Sequence, residues 1–357
     1  MANPHEHQLV YPLGDALPAL GRSLEVAPGV RWIRMGLPFA LDHINLWLLR
    51  DEIDGRAGWS VVDCGITNDT TRAAWQQVFE QELDGLPVLR VIVTHMHPDH
   101  IGLAHWLTEH WSTPEWPCRL WISATDWNAA RMASIQTTGF GGEAAAAFFA
   151  SHGLSDPEAL AKVRARGNYY ASMVPTVPPR YRRLMDGQPL QIGGHTWRCH
   201  VGHGHAPEHM SLHCEQLGVL ISGDMVLPRI STNISVIDLE PEADPLPLYL
   251  ASLDRMRALP ADTLVLPSHG KPFRGLQERI EQLHEHHRER LADVLAACAE
   301  APCTAADILP VLFKRALDLH QTTFAMGEAI AHLHALWLGG QLARLRGADG
   351  VLRFRPA

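Results

Sequence analysis

His95, His97, Asp99 and His100 fall within the run Thr94-His95-Met96-His97-Pro98-Asp99-His100, directly behind the β-branched stretch Val91-Ile92-Val93. A buried strand that stops there delivers ligand-type side chains into a loop. Residues two apart on extended backbone point the same way, so His95 and His97 can share one ion, while the turn at Pro98 swings Asp99 and His100 toward a second. Neutral imidazole and carboxylate without thiolate suit zinc, with iron or manganese also compatible. The competing explanation is a histidine-rich surface loop in a chain with 22 histidines. The spacing, set between a strand and an amphipathic helix, favours metal.

The elements that must hold this loop can be read outward from it. Residues 88–93 form the carrying strand. Before it, 30–35, 43–50 and 59–62 predict antiparallel strands, and Asn68 or Asp69 caps a helix running to about Leu83. After it come a helix from His100 to about His110, a short strand at 120–122, and helical runs between about Ala124 and Gly187 whose alanine-rich part reads as helix packing. Strands at 197–201, 211–215, 219–222 and 263–266 make a second strand-rich half. Two halves of similar order predict an α/β protein with two packed sheets and helices outside, an αββα sandwich. From Phe273 the chain turns helical. Residues 276–299 carry a charged cluster, Glu281 and His284 to Arg290, that reads as a solvated face. A capping box at Thr304-Ala305-Ala306-Asp307, a helix at 323–338 stopped by Gly339-Gly340, and a two-stranded wing at 341–346 and 351–355 follow.

Composition narrows the classes of partner. A hydrophobic content of 46% supports a substantial core, and a net charge of −9 with a pI near 6.2 disfavours broad capture of nucleic acid or an anionic membrane. The six cysteines are scattered without a CxxC pair, against a zinc ribbon or dithiol motif. His5, Glu6, His7 and Asp15 interrupt the start of the chain, and no apolar run approaches membrane-spanning length, so a cytoplasmic protein is expected.

The His95-to-His100 motif resembles the metal-binding motif of the metallo-β-lactamase superfamily, and later segments follow in that family's order. Gly202-His203-Gly204-His205-Ala206-Pro207-Glu208-His209 resembles its GHTPGH element, Ser222-Gly223-Asp224 its GD element, and Pro267-Ser268-His269-Gly270 its terminal histidine loop. The resemblance implies a metallo-β-lactamase catalytic domain over residues 1–272 with a helical insertion at about 124–187. Residues 273–357 resemble the winged-helix domain of one subgroup. It also implies two divalent metal ions, zinc foremost, with His95, His97 and His209 on one, Asp99, His100 and His269 on the other, and Asp224 between. His205 is expected to support its loop, His203 to assist or face solvent, and Asp63 to serve as scaffold. Glu208 stands where the family more often has Gly.

The implied reaction is hydrolysis by a metal-bound hydroxide, with Asp99 orienting it and passing a proton to the leaving group. Resemblance supplies the reaction and not the substrate. The first expectation is a small acyl substrate, an ester, thioester or lactone, as in enzymes of the glyoxalase II type. One alternative is a phosphodiesterase or endoribonuclease of the same superfamily. Ten Lys/Arg against ten Asp/Glu over residues 273–357 leave RNA little to hold. A mononuclear non-haem iron oxidoreductase like the persulfide dioxygenases is a further alternative, opposed by the full second set Asp99, His100 and His269. A non-enzymatic reading makes the C-terminal part an interaction or homodimer module. Candidate pocket residues are Phe39, Asp42 and His43, with Tyr169, Tyr170, Arg180, Arg182 and Arg183 from the insertion.

Overall fold

The computed structural model describes residues 3–137 and 141–357; residues 138–140 of the expected insertion lie outside the described residues. Strands β1 (Ser23–Ala27), β2 (Val30–Gly36), β3 (His43–Ile53) and β4 (Arg56–Val62) pair antiparallel in sequence order. Strands β5 (Val88–Ile92), β6 (Arg119–Ile122) and β7 (Tyr181–Arg183) extend the same sheet in parallel. Parallel neighbours need crossovers, and helices supply them. α1 (Asp69–Gln81) joins β4 to β5, and α2 (Pro98–Ile101) with α3 (Ala104–Trp111) joins β5 to β6. The expected insertion fills the third crossover as α4 (Ala124–Ile135), α5 (Gly142–Ser151), α6 (Pro157–Ala165) and α7 (Tyr169–Met173). It ends in β7, a strand inside the stretch whose pattern reads as helical.

The second sheet runs β12-β11-β10-β9-β8, from β8 (Pro189–Ile192), β9 (His195–Gly202), β10 (His209–Cys214), β11 (Val219–Gly223) and β12 (Leu264–Pro267). Only its β11–β12 pair is parallel, and α8 (Pro245–Met256) makes that crossover. The chain closes with α9 (Leu276–Glu300), α10 (Ala305–Leu312), α11 (Leu319–Leu338) and the hairpin β13 (Leu342–Arg346)–β14 (Leu352–Pro356). Thr304 and Asp307 form the expected capping box, and a second one, Asp318 with Gln321, starts α11 a turn earlier than its periodicity indicated.

Because both faces of each sheet are covered, the period of two sorts side chains between two cores rather than between core and water. On β3, Trp47 and Leu49 turn inward to meet Trp197, Leu212, Ile221 and Leu266 of the second sheet. Leu46 and Leu48 turn outward to Trp75 and Val78 of α1. On the other side, Leu220 and Val265 meet Tyr249 and Leu253 of α8 and Leu276 and Ile280 of α9. The result is the αββα sandwich with a C-terminal module of helices and hairpin packed onto it. Phe149, Ala145 and Ala146 of α5 join that module's core, the packing role expected of the alanine-rich run. His287, expected on a solvated face, is instead buried with its Nδ1 3.3 Å from His332 Nε2, because α11 packs over that side of α9. Among the described residues, no helix is long and apolar enough to cross a membrane.

Candidate metal centre

Parallel strands that end at one rim bring their following loops together. Asp63 follows β4, Thr94 and His95 follow β5, Asp224 follows β11 and His269 follows β12. Two contacts join the rims of the two sheets. Met210 N–H donates to the Thr94 carbonyl at 2.7 Å, and Asn45 donates from its backbone to Ser268 (2.7 Å) and from its side chain to Pro267 (2.8 Å).

Three imidazoles converge at this rim. His95 Nε2 lies 2.9 Å from His97 Nδ1 and 3.2 Å from His205 Nε2. In a second group, Asp99 Oδ2 lies 3.6 Å from His100 Nε2 and 3.5 Å from His269 Nε2. Asp224 stands between them: its Oδ2 is 3.3 Å from His205 Nε2, while its Oδ1 is 3.6 Å from His100 Nε2 and 3.5 Å from His269 Nε2.

The converging rings are aimed by their other nitrogens. His100 Nδ1 donates to Asp63 at 2.8 Å, His269 Nδ1 to the His43 carbonyl at 2.7 Å, and His205 Nδ1 to the Asn233 carbonyl at 2.8 Å, while His95 Nδ1 meets Thr94 Oγ1 at 3.0 Å. Asp63 also accepts from Thr94 N–H, so its scaffold role includes holding His100. His43 accepts from Gly270 N–H at 2.8 Å and thereby braces the His269 loop.

His209 departs from the expected assignment. Its Nε2 accepts the Asp224 N–H at 3.0 Å, and a Cβ on Gly223 would sit 2.3 Å from that nitrogen, so the ring is committed to the backbone that presents Asp224. His205 occupies the third position beside His95 and His97. The other six expected ligands are all brought together.

Electrostatics fit a cation site. Burial and the neighbouring imidazoles hold His95 and His97 well below the ordinary histidine value, leaving them neutral with lone pairs free. Burial opposes charge on His100 and His269, but Asp99 and Asp63 beside the first and Asp224 and Asp99 beside the second raise both. Burial likewise opposes charge on Asp224, and His269 with His100 outweighs it and holds the carboxyl well below its usual value. A dication bound here displaces those protons. His100 Nε2 and Asp224 Oδ1 are buried without a hydrogen-bond partner, a costly arrangement that a coordinated ion relieves. The donor sets suit one or two divalent metal ions.

Residues from the insertion grip the motif loop. Asp126, near the start of α4, accepts Met96 N–H (2.9 Å) and Glu208 N–H (2.8 Å), joining the loop of His95 and His97 to that of His205. Tyr170 of α7 donates to the Met96 carbonyl. Sequence reasoning missed Asp126, whose only signal was an N-terminal Ser-x-x-Asp in the insertion. Phe39 stacks on His320 of α11 (centroids 5.6 Å apart), and Tyr169 Oη lies 3.0 Å from His320 Nδ1, so the first loop, the insertion and the C-terminal module meet. Arg180, Arg182 and Arg183 are placed differently: they lie on or beside the edge strand β7, with the Arg182 guanidinium over Trp121. Asp42 is exposed, with Oδ1 2.6 Å from His43 Nδ1.

Residues 40–269 match the model of the metallo-beta-lactamase superfamily, and residues 291–357 match that of the metallo-beta-lactamase-like C-terminal domain. A crystal structure of a beta-lactamase domain protein from Burkholderia ambifaria is 59% identical, with TM-score 0.93 over 99% of both chains. A Bacillus subtilis (strain 168) protein, "Probable metallo-hydrolase YqjP", is 24% identical over 85% of this chain and 91% of its own length. The atrochrysone carboxyl ACP thioesterase of Aspergillus fumigatus is 25% identical over 38% of this chain and 44% of its own. The sandwich, the donor clusters at its rim and these matches agree: the chain belongs to the metallo-β-lactamase superfamily and is a metal-dependent hydrolase.

Proposed function

We propose that this protein is a dinuclear zinc hydrolase of small acyl substrates, an ester, thioester or lactone. In this reading His95, His97 and His205 would hold one ion, Asp99, His100 and His269 the other, with Asp224 placed between the two groups. The observation that carries it is the split of Asp224, one oxygen facing each donor group. When bound, the ions supply a water acidic enough to attack at neutral pH and polarise the scissile carbonyl. Asp99 would orient that water, take its proton and pass it to the leaving group.

The acyl preference is supported by the aromatic cluster in which Phe39 stacks on His320 and Tyr169 Oη meets His320 Nδ1, by the balanced charge of residues 273–357, and by the thioesterase among the relatives. The helix-helix-helix-hairpin order after residue 272 supports a winged-helix domain there. The test is turnover by zinc-loaded protein of acyl thioesters and lactones beside phosphodiesters and single-stranded RNA, with His97→Ala as blank. Cleavage of the acyl set alone is expected; cleavage of RNA or phosphodiesters in its place overturns the substrate assignment.

A further inference from the structure

We infer that Glu328, on α11 of the C-terminal module, is a positioning residue for the first metal group, acting through Asn233 and His205. The inference rests on the reading that His205 holds an ion. His205 Nδ1 donates to the Asn233 carbonyl at 2.8 Å, and Asn233 Nδ2 donates to Glu328 Oε2 at 3.1 Å. Ser235 Oγ donates to Asn233 Oδ1 at 2.7 Å, so both ends of that amide are fixed. A ring whose Nδ1–H is held by an oriented carbonyl keeps one tautomer and presents Nε2 in one direction.

The same segment is braced at each end. Thr232 Oγ1 donates to the Asp224 carbonyl, which ties it to the bridging residue. Val236 N–H donates to the Gly327 carbonyl at 3.1 Å. A Cβ on Gly327 would meet Ser235 Cβ and Oγ at 2.8 Å, so glycine is what lets α11 approach this closely. Gly327 and Glu328 are thus consecutive contacts from the C-terminal module onto the loop that aims His205. Burial pushes the Glu328 carboxyl up to about 7. Both protonation states keep an oxygen able to accept from Asn233, so the brace requires an acceptor rather than a charge.

The experiment compares wild type, Glu328→Ala, Glu328→Gln, Asn233→Ala and His205→Ala by chelator competition for zinc and by the absorption spectrum of the cobalt-loaded protein. Glu328→Ala and Asn233→Ala are expected to weaken metal binding about 10- to 100-fold and shift the cobalt spectrum, and a double variant combining these two changes to be no worse than either alone. Glu328→Gln, which keeps an acceptor oxygen, is expected to restore both. Wild-type affinity and spectrum in the alanine variants, or Gln behaving like Ala, overturns the inference. Asn233→Ala carries the test should Glu328→Ala fail to fold. Loss of an ion in His205→Ala without any effect at Glu328 or Asn233 defeats this inference alone. Retention of both ions by His205→Ala defeats the ligand assignment, and the inference with it.

Discussion

Replacing Asp126 with alanine removes one acceptor that two ligand loops share. Met96 N–H reaches Oδ1 at 2.9 Å, Glu208 N–H reaches Oδ2 at 2.8 Å, and Ser123 Oγ shares Oδ2 at 2.9 Å. Hydrogen bonds to a charged acceptor contribute about 1.5–3 kcal/mol each. Burial raises the Asp126 carboxyl above its usual value, so part of that gain is offset and the low end applies. Two N–H groups at the low end give about 3 kcal/mol, which is about a 100-fold loss of metal affinity when all of it falls on the binding conformation of the loops. Asparagine keeps one acceptor oxygen and turns an NH2 toward the other donor, so Asp126→Asn is expected to lose about 10-fold. The assay is zinc competition against a chelator, with urea unfolding of the metal-free variants alongside. Wild-type affinity in Asp126→Ala, or a ranking other than wild type above Asn above Ala, refutes the reasoning. Lost stability with intact affinity confines Asp126 to holding the fold.

Four further outcomes follow. His205→Ala is expected to lose one equivalent of zinc by elemental analysis, together with activity. His209→Ala keeps both ions and loses about 1–3 kcal/mol of stability, since only the Asp224 N–H is left without its acceptor; the reverse pattern restores His209 as a ligand. Gly223→Ala places a Cβ 2.3 Å from His209 Nε2 at φ +55°, so a lower melting temperature and a displaced Asp224 are expected, and a wild-type melt with full metal content contradicts this. Acid is the fourth lever. Burial holds His152 and His332 at about 4, against 6.5 for an ordinary histidine. The unfolded chain therefore binds these protons first, and the stability contributed by the neutral rings, full above pH 6.5, drains away as pH falls toward 4. At pH 5 the loss is about 2 kcal/mol per ring. Urea unfolding of metal-free protein at pH 7.5 and 5 measures it, and a His152→Asn/His332→Gln variant with the wild-type pH slope rules it out.

What the sequence revealed was what lies close together along it. The loop from His95 to His100 is a local pattern at a strand end, and Asp224 and His269 each follow a short apolar strand, so all were visible. His205 and His209 were not separable in that way: both flank the same turn, and the choice depends on an N–H fifteen residues further on that captures the His209 ring. Edge strands β1 and β7 are short and half-exposed and lack a full apolar alternation, and β8 alternates over only four residues, Pro189–Ile192. The prolines that open α8 hid a helix whose buried face is otherwise regular. His287 and Glu328 sit on helices whose polar residues look solvated until α9 and α11 are packed together, which is a matter of tertiary structure rather than propensity.

The ligand groups draw on distant parts of one chain: His95 meets His205 across 110 positions, and Asp99 meets His269. An ion held by such a group closes a long loop, as a disulfide does, and removes open conformations from the unfolded ensemble only while it stays bound. All six cysteines are unpaired, so the chain has no covalent staple of its own. Its topology is instead fastened by a reversible one, whose strength rises with free metal concentration and which a chelator can undo.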